Sequence, residues 1–184
     1  MKQKVSLVRL ALTLFLITAL VAAALAGVNM LTKDKIAKIQ AQKALDAVAQ
    51  VMEGEAKVLT DAPCEGAIQA VYAGPNGYAI QVNTVDFGGD LVLMVGVTGE
   101  GKVTGIAVIS HAETAGLGSV AAEDSAKGAA FRQQFTQHSW PYAVTKDGGE
   151  VDAITGATIT SRAVTQGVNA AVEFAKILDG EGQS

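Results

Sequence analysis

The segment DAITGATITSRAV at residues 152–164 places Thr155 and Thr158 on either side of Gly156-Ala157, just before apolar residues at helical spacing. A helix starting near Thr158 has backbone N–H groups without intrahelical partners there, and the positive end of its dipole. Together these favour an anion such as phosphate. Gly156 lets the chain bend tightly and Ala157 keeps the approach uncrowded, so Thr158 presents its hydroxyl at an accessible, electropositive spot. The commoner use of such residues is structural: Thr155 or Thr158 as an N-cap, Asp152 as a turn residue. Four residues of TGAT do not decide between the two.

A second stretch, HAETAGLGS at residues 111–119, sets His111, Glu113 and Thr114 before a Gly-x-Gly turn and directly after a strand-like run. Loops at strand ends are where sites are built on a rigid scaffold. Alone, this stretch reads equally as a solvated loop with a satisfied histidine. Ser119, His111 and Glu113 supply the residue types of a triad, but sequence neighbours seldom reach triad geometry and no G-x-S-x-G elbow is present. His111, His138 and the carboxylates show no metal-ligand spacing. The single Cys64 leaves no intrachain disulfide or cysteine cluster and reads as a small, partly buried residue.

The elements that must position these stretches follow from periodicity. Residues 32–53 carry Ile36, Ile39, Ala44, Leu45, Val48, Val51 and Met52 near a 3.6-residue period, with Thr32 as a candidate N-cap. Residues 54–66 lose that period and read as a connection. From Ala67 four β-like runs follow, AIQAVYA, YAIQVNT, LVLMVGV and KVTGIAVIS, with turns GPNG at 74–77 and TGEG at 98–101. They predict an antiparallel sheet. Helical character returns over 119–135, where Val120, Ala126, Ala129, Ala130 and Phe131 cluster. A final helix carries Ile159, Ala163, Val164, Val168, Ala171, Val172, Ala175 and Leu178 as its stripe.

Ahead of all this lies an uncharged apolar run from Leu10 to Leu31. As a helix it reaches roughly 33 Å, enough for the hydrocarbon core of a bilayer. Lys2, Lys4 and Arg9 precede it, which by the positive-inside rule holds the N-terminus in the cytoplasm and the rest outside. Cleavage after Ala24-Leu25-Ala26 is the rival reading; the length of the run, apolar through Val28, Met30 and Leu31, favours a retained anchor. All eighteen Asp and Glu follow residue 33, against ten Lys and Arg, giving this part a formal charge of −8. Nucleic acid and anionic lipid surfaces are thereby disfavoured as partners, since phosphate binding needs a basic face.

DAITGATITSRAV, HAETAGLG and the N-terminal anchor together resemble the FMN-binding domain shared by the G subunit of the Rnf electron transport complex and the C subunit of the sodium-translocating NADH:quinone reductase. Length and anchor resemble the former more. The family motif is Asp, two residues, Ser or Thr, then Gly-Ala-Thr and a further Thr or Ser; Asp152, Thr155, Gly156, Ala157, Thr158 and Thr160 match it. The resemblance implies FMN joined by a phosphoester to Thr158, attached by a separate flavin transferase outside the cytoplasm. Its second stretch, usually Glu-Thr-Pro-Gly-Leu-Gly, helps enclose the flavin and matches Glu113, Thr114, Gly116, Leu117 and Gly118, with Ala115 in place of proline.

The resemblance implies an α+β architecture: an N-terminal transmembrane helix followed by an antiparallel sheet packed with helices. Its segments are a cytoplasmic N-terminus (1–9), the span (10–31), a helix and connection (32–66), an extracytoplasmic FMN-binding domain (67–179) and a tail (180–184). It implies a single-pass subunit of the cell (inner) membrane that relays electrons among other membrane and peripheral subunits of an Rnf-type complex and is not a complete enzyme alone. Two further readings stay open: an anchored extracytoplasmic binding module without redox cofactor, and a stand-alone extracellular flavin carrier.

Overall fold

The computed structural model describes residues 7–60, 62–86 and 88–180. Residues 1–6 of the expected cytoplasmic segment and 181–184 of the expected tail lie outside the described residues. The elements in order are α1 (Leu7–Val51), β1 (Lys57–Val58), β2 (Ile68–Gly74), β3 (Gly77–Asp86), β4 (Gly89–Thr98), β5 (Val103–Ser110), α2 (Ala126–Gln137) and α3 (Thr158–Leu178). Short 3-10 turns occupy Gly118–Ala121 and Thr145–Asp147.

The chain divides into two compact units, one ending at Gln42 and one beginning at Lys43. In the first, Leu12, Phe15, Leu20, Leu25 and Val28 are all exposed along α1. An exposed apolar helix surface is suited to an apolar environment, and α1 is long and apolar enough to cross a membrane. Thr32 is no N-cap: it lies inside α1, where its hydroxyl donates to the Val28 carbonyl at 2.8 Å. With no proline anywhere in α1, nothing ends the helix at that point, and a helical threonine satisfies itself in this way. Ile36, Ile39 and Leu45, expected in the stripe, are exposed.

The second unit is built on a five-stranded antiparallel meander, β1-β2-β3-β4-β5 in sequence order. The four expected strands are present, joined by the short β1 inside the expected connection, where Lys57 pairs with Ala73 and Val58 with Tyr72. Strand residues alternate between two buried faces. Val71, Ile80, Val82, Leu91, Leu93 and Val95 pack with α2 and α3, while Tyr72, Ala79, Met94 and Ala107 pack with Ala44, Ala47, Val48 and Val51 at the end of α1. That explains why β4 reads as continuous LVLMVGV: a strand covered on both sides needs no polar face. The Thr104 hydroxyl donates to the Val51 carbonyl at 2.6 Å, closing the end of α1 onto β5.

α3 lays Ala163, Val164, Val168, Ala171, Val172 and Ala175 on the first face. Ile159, expected in this stripe, is 53% exposed, because it sits in the first turn, where side chains lean back past the core. The helix expected over 119–135 is two elements. Ser125 starts a new one by accepting from the Gly128 N–H at 3.2 Å, and α2 buries Phe131 and Phe135 while Ala126, Ala129 and Ala130 stay exposed. Cys64 is exposed, not partly buried, in the loop between β1 and β2.

Candidate functional site

α3 begins at Thr158 itself; the residue before it, Ala157, is the N-cap, and no side chain caps it. The capping alternative for Thr155 and Thr158 is therefore not what the chain adopts. Ser161 organises the entry instead: its hydroxyl accepts from the Ile154 N–H at 2.9 Å and donates to the Ala157 carbonyl at 2.9 Å. Between them the chain turns at Gly156, whose φ of 81° lies in the left-handed region that side chains disfavour. The result leaves Thr158 half-buried at the open end of a helix of 21 residues.

The Thr158 hydroxyl oxygen accepts from the Lys146 ammonium at 3.0 Å. Lys146 belongs to the 3-10 turn Thr145–Asp147, and its neighbour Asp147 takes a bidentate bond from Arg162, one turn further along α3, with both N–O distances 2.6 Å. The Arg162 guanidinium holds the Asp147 carboxyl below the usual carboxylate range, and Asp147 in turn raises Arg162. Two consecutive residues of one turn thus engage two positions four apart on one helix face.

The second stretch meets the first. Thr160, 4% exposed, donates its hydroxyl to Glu113 Oε2 at 2.9 Å. Gly118 is buried beneath this bond, and a Cβ there would collide with both the Glu113 carboxylate and the Thr160 hydroxyl. Leu117 lies beside Gly156 and is 43% exposed. The Thr114 carbonyl accepts from Leu117 N at 3.1 Å and Ser119 N at 3.4 Å, tightening the loop without the proline that Ala115 replaces. His111 is exposed, and its Nδ1 accepts from the Glu113 N–H at 3.2 Å, a local turn contact. The Ser119 hydroxyl accepts from Gly116 N and donates to Glu123, each at 2.9 Å, so it is engaged away from His111.

Asp152 is exposed and held by its backbone: Gln134 of α2 accepts from the Asp152 N–H at 2.6 Å and donates to its carbonyl at 3.2 Å. Beside it opens a cavity of about 700 Å³ lined by Gly116, Phe131, Gln134, His138, Asp152 and Thr155 among others. Ala130 lines it too, which accounts for that exposed apolar position on α2. Glu150 pairs with His138 Nδ1 at 3.1 Å at the same cavity. Thr155 and Asp152 thus face a cleft, whereas Thr158, Thr160, Glu113 and Gly118 belong to the α3 end. Sequence reasoning missed Lys146, Arg162 and Gln134; a lysine twelve residues before a threonine carries no periodic signal.

Two family models match the chain. One is the FMN-binding domain, over residues 86–173, which holds every candidate residue; the other is the RnfG N-terminal region, over residues 1–51. The chain is 36% identical to the G subunit of the ion-translocating oxidoreductase complex of Stutzerimonas stutzeri, across 89% of this chain and 78% of that one. It belongs to this family.

Among further relatives is the G subunit of the Na(+)-translocating ferredoxin:NAD(+) oxidoreductase complex of Acetobacterium woodii, 32% identical over 90% of this chain and 89% of that one. Another is the G subunit of the proton-translocating ferredoxin:NAD(+) oxidoreductase complex of Clostridium ljungdahlii, 43% identical over 52% of this chain and 51% of that one. Relatives named for different ions share this subunit, so membership of the family does not specify the ion. As a G subunit it is one part of an oxidoreductase, with one N-terminal helix suited to a single span and an FMN-binding domain following it in the chain.

Proposed function

We propose that this subunit relays electrons through FMN held by a phosphoester to Thr158, within a ferredoxin- and NAD-linked ion-translocating complex, with its N-terminus cytoplasmic and its main domain on the extracytoplasmic side of the cell membrane. The observation that carries the reading is the hydroxyl of Thr158 at the uncapped start of α3, within 3.0 Å of the Lys146 ammonium. An oxygen so placed is half-exposed, flanked by a cation and free of any capping duty, which suits a residue that must carry a phosphate.

The residues present fit the group. Unpaired N–H groups of the first turn of α3 and the Lys146 ammonium supply donors for a phosphodiester. Gly156 and Gly118 keep the two loops close, and the exposed Leu117 offers an apolar surface beside the attachment point. Thr160 and Glu113 hold the loops together, Thr155 and Asp152 border the adjoining cleft, and His111 closes the turn that presents Glu113. When bound, the isoalloxazine accepts one or two electrons, and the surrounding protein sets its potential. No acid–base machinery is required of a relay, and a covalent tether keeps the cofactor from diffusing away outside the membrane.

A flavin transferase matures the subunit in this reading, and the remaining membrane and peripheral subunits act as its redox neighbours. The test is the intact mass of protein purified from a host containing the transferase. Denatured, washed protein should keep yellow fluorescence in a gel and carry the added mass of one FMN, mapped to the peptide containing Thr158. Thr158→Ala retaining that mass refutes the attachment site. A colourless wild type points to an anchored binding module, and flavin-bearing protein that copurifies with no membrane subunit points to a stand-alone carrier.

A further inference from the structure

We propose that Lys146 is the positioning residue for phosphoester formation at Thr158: its ammonium orients the acceptor oxygen, then offsets the charge of the phosphate delivered there. This rests on the reading of Thr158 given above and goes beyond it by assigning a role to a side chain outside both sequence motifs.

The geometry is built. The turn bearing Lys146 is closed on itself, with Thr145 N donating to the Val151 carbonyl at 2.8 Å, Val151 N to the Ala143 carbonyl at 3.1 Å, and Gly149 N to the Val144 carbonyl at 3.1 Å. Val144 and Val151, each 1% exposed, root it in the core. The Asp147–Arg162 pair then pins it to α3, so Lys146 is delivered to Thr158 by a fixed frame instead of a free loop. Asp147 accepts its two hydrogen bonds from Arg162, first among the causes that lower its carboxyl, and feels Lys146 through space, while the Lys146 ammonium makes its hydrogen bond to Thr158. In a region of the chain whose formal charge is −8, a cation at an acceptor hydroxyl runs against the prevailing field.

The chemistry needs such a group. Joining Thr158 to a flavin phosphate requires an activated donor, and a flavin dinucleotide with a pyrophosphate linkage is the class that qualifies. The Thr158 oxygen forms a bond to the flavin-side phosphorus, the bridging P–O bond breaks, and a nucleoside monophosphate leaves with the electron pair. The hydroxyl proton passes to a base of the transferase; nothing is oxidised or reduced. A donor bonded to the attacking oxygen stabilises the alkoxide character that develops on it, and the same ammonium faces the single negative charge of the product diester.

The experiment follows single-turnover flavin transfer to the full-length subunit in detergent, with purified transferase and flavin dinucleotide, by intact mass. Lys146→Arg should retain the wild-type rate within about threefold, whereas Lys146→Gln and Lys146→Ala should slow transfer tenfold or more, with thermal midpoints unchanged because the side chain is exposed. The loss should appear in the limiting rate and not in the half-saturating dinucleotide concentration. A modified wild type with unimpaired Lys146→Ala overturns the role of the lysine while leaving Thr158 in place. Lys146→Gln matching Lys146→Arg overturns the role of charge. A wild type that never gains mass overturns the Thr158 reading and this inference together.

Discussion

Thr160 Oγ1 donates to Glu113 Oε2 at 2.9 Å, joining the first turn of α3 to a loop that lies 47 residues earlier. That bond ties the second stretch to the start of α3, and one of its partners is almost fully buried. Thr160→Val keeps the shape and removes this donor to the Glu113 carboxylate. It should cost about 1–3 kcal/mol, read as a lower denaturant midpoint at unchanged slope. Glu113→Gln, which can still accept, should cost less, and the double variant should fall short of the sum of the two.

Gly118 sits where any Cβ would strike both members of that bond. Gly118→Ala should therefore separate the loops as well as destabilise the domain, by about 1–3 kcal/mol. Hydrogen exchange should quicken at 111–119 and 154–160 while the amides of β3 and β4 keep their protection. Slower exchange in the loops would contradict this crowding.

Thr158→Ala should be nearly silent in stability, within about 0.5 kcal/mol, because Thr158 is the first helical residue and caps nothing. A cap would have cost about 0.5–2 kcal/mol. The sequence alone left capping and attachment side by side; the helix start separates them, since the N-cap is Ala157, no side chain caps it, and Ser161 instead fixes the chain entering the helix. Loss of covalent flavin at unchanged stability is the signature to look for.

How far the sequence led is visible in particular residues. The start of α3 follows from the glycine and the apolar stripe behind it, and the four main strands from their turns, since these signals are local. Faces were unreadable in β4 because both are covered, so Leu93 and Met94 are equally buried on opposite sides. Thr32 and Ile159 misled for one reason: a residue type favoured at a cap or in a stripe says nothing about where the helix began or what stands opposite. The family resemblance named Thr160 and Glu113 each in its own stretch but not the bond between them, and Lys146, Arg162 and Gln134 act across the fold and leave no trace in spacing.

The Asp147–Arg162 pair gives a pH dependence of known sign. Arg162 lowers the Asp147 pKa in the folded state, so its contribution is complete above the unfolded value of about 3.9 and is lost as pH falls through the lower folded value. The stability gap between wild type and Asp147→Asn should accordingly be flat from neutral pH to about pH 5 and close below about pH 4. Both side chains are partly exposed, so the gap should also shrink in high salt. A gap that widens on acidification would show that the pair does not set it.

Sidedness can be read from Cys64. It is the single cysteine of the chain, it is exposed, and it lies in the loop between β1 and β2, within the unit that holds the FMN-binding fold. A membrane-impermeant maleimide added to intact spheroplasts should therefore label the subunit if that unit faces outward, and Cys64→Ser should abolish the label. Labelling that requires lysis would place the domain in the cytoplasm, on the same side as enzymes that use soluble NAD, and would remove the reason for a covalent tether. Because Cys64 lies outside both site loops, the thiol reports topology without touching the chemistry, and the flavin content of Cys64→Ser should equal that of wild type.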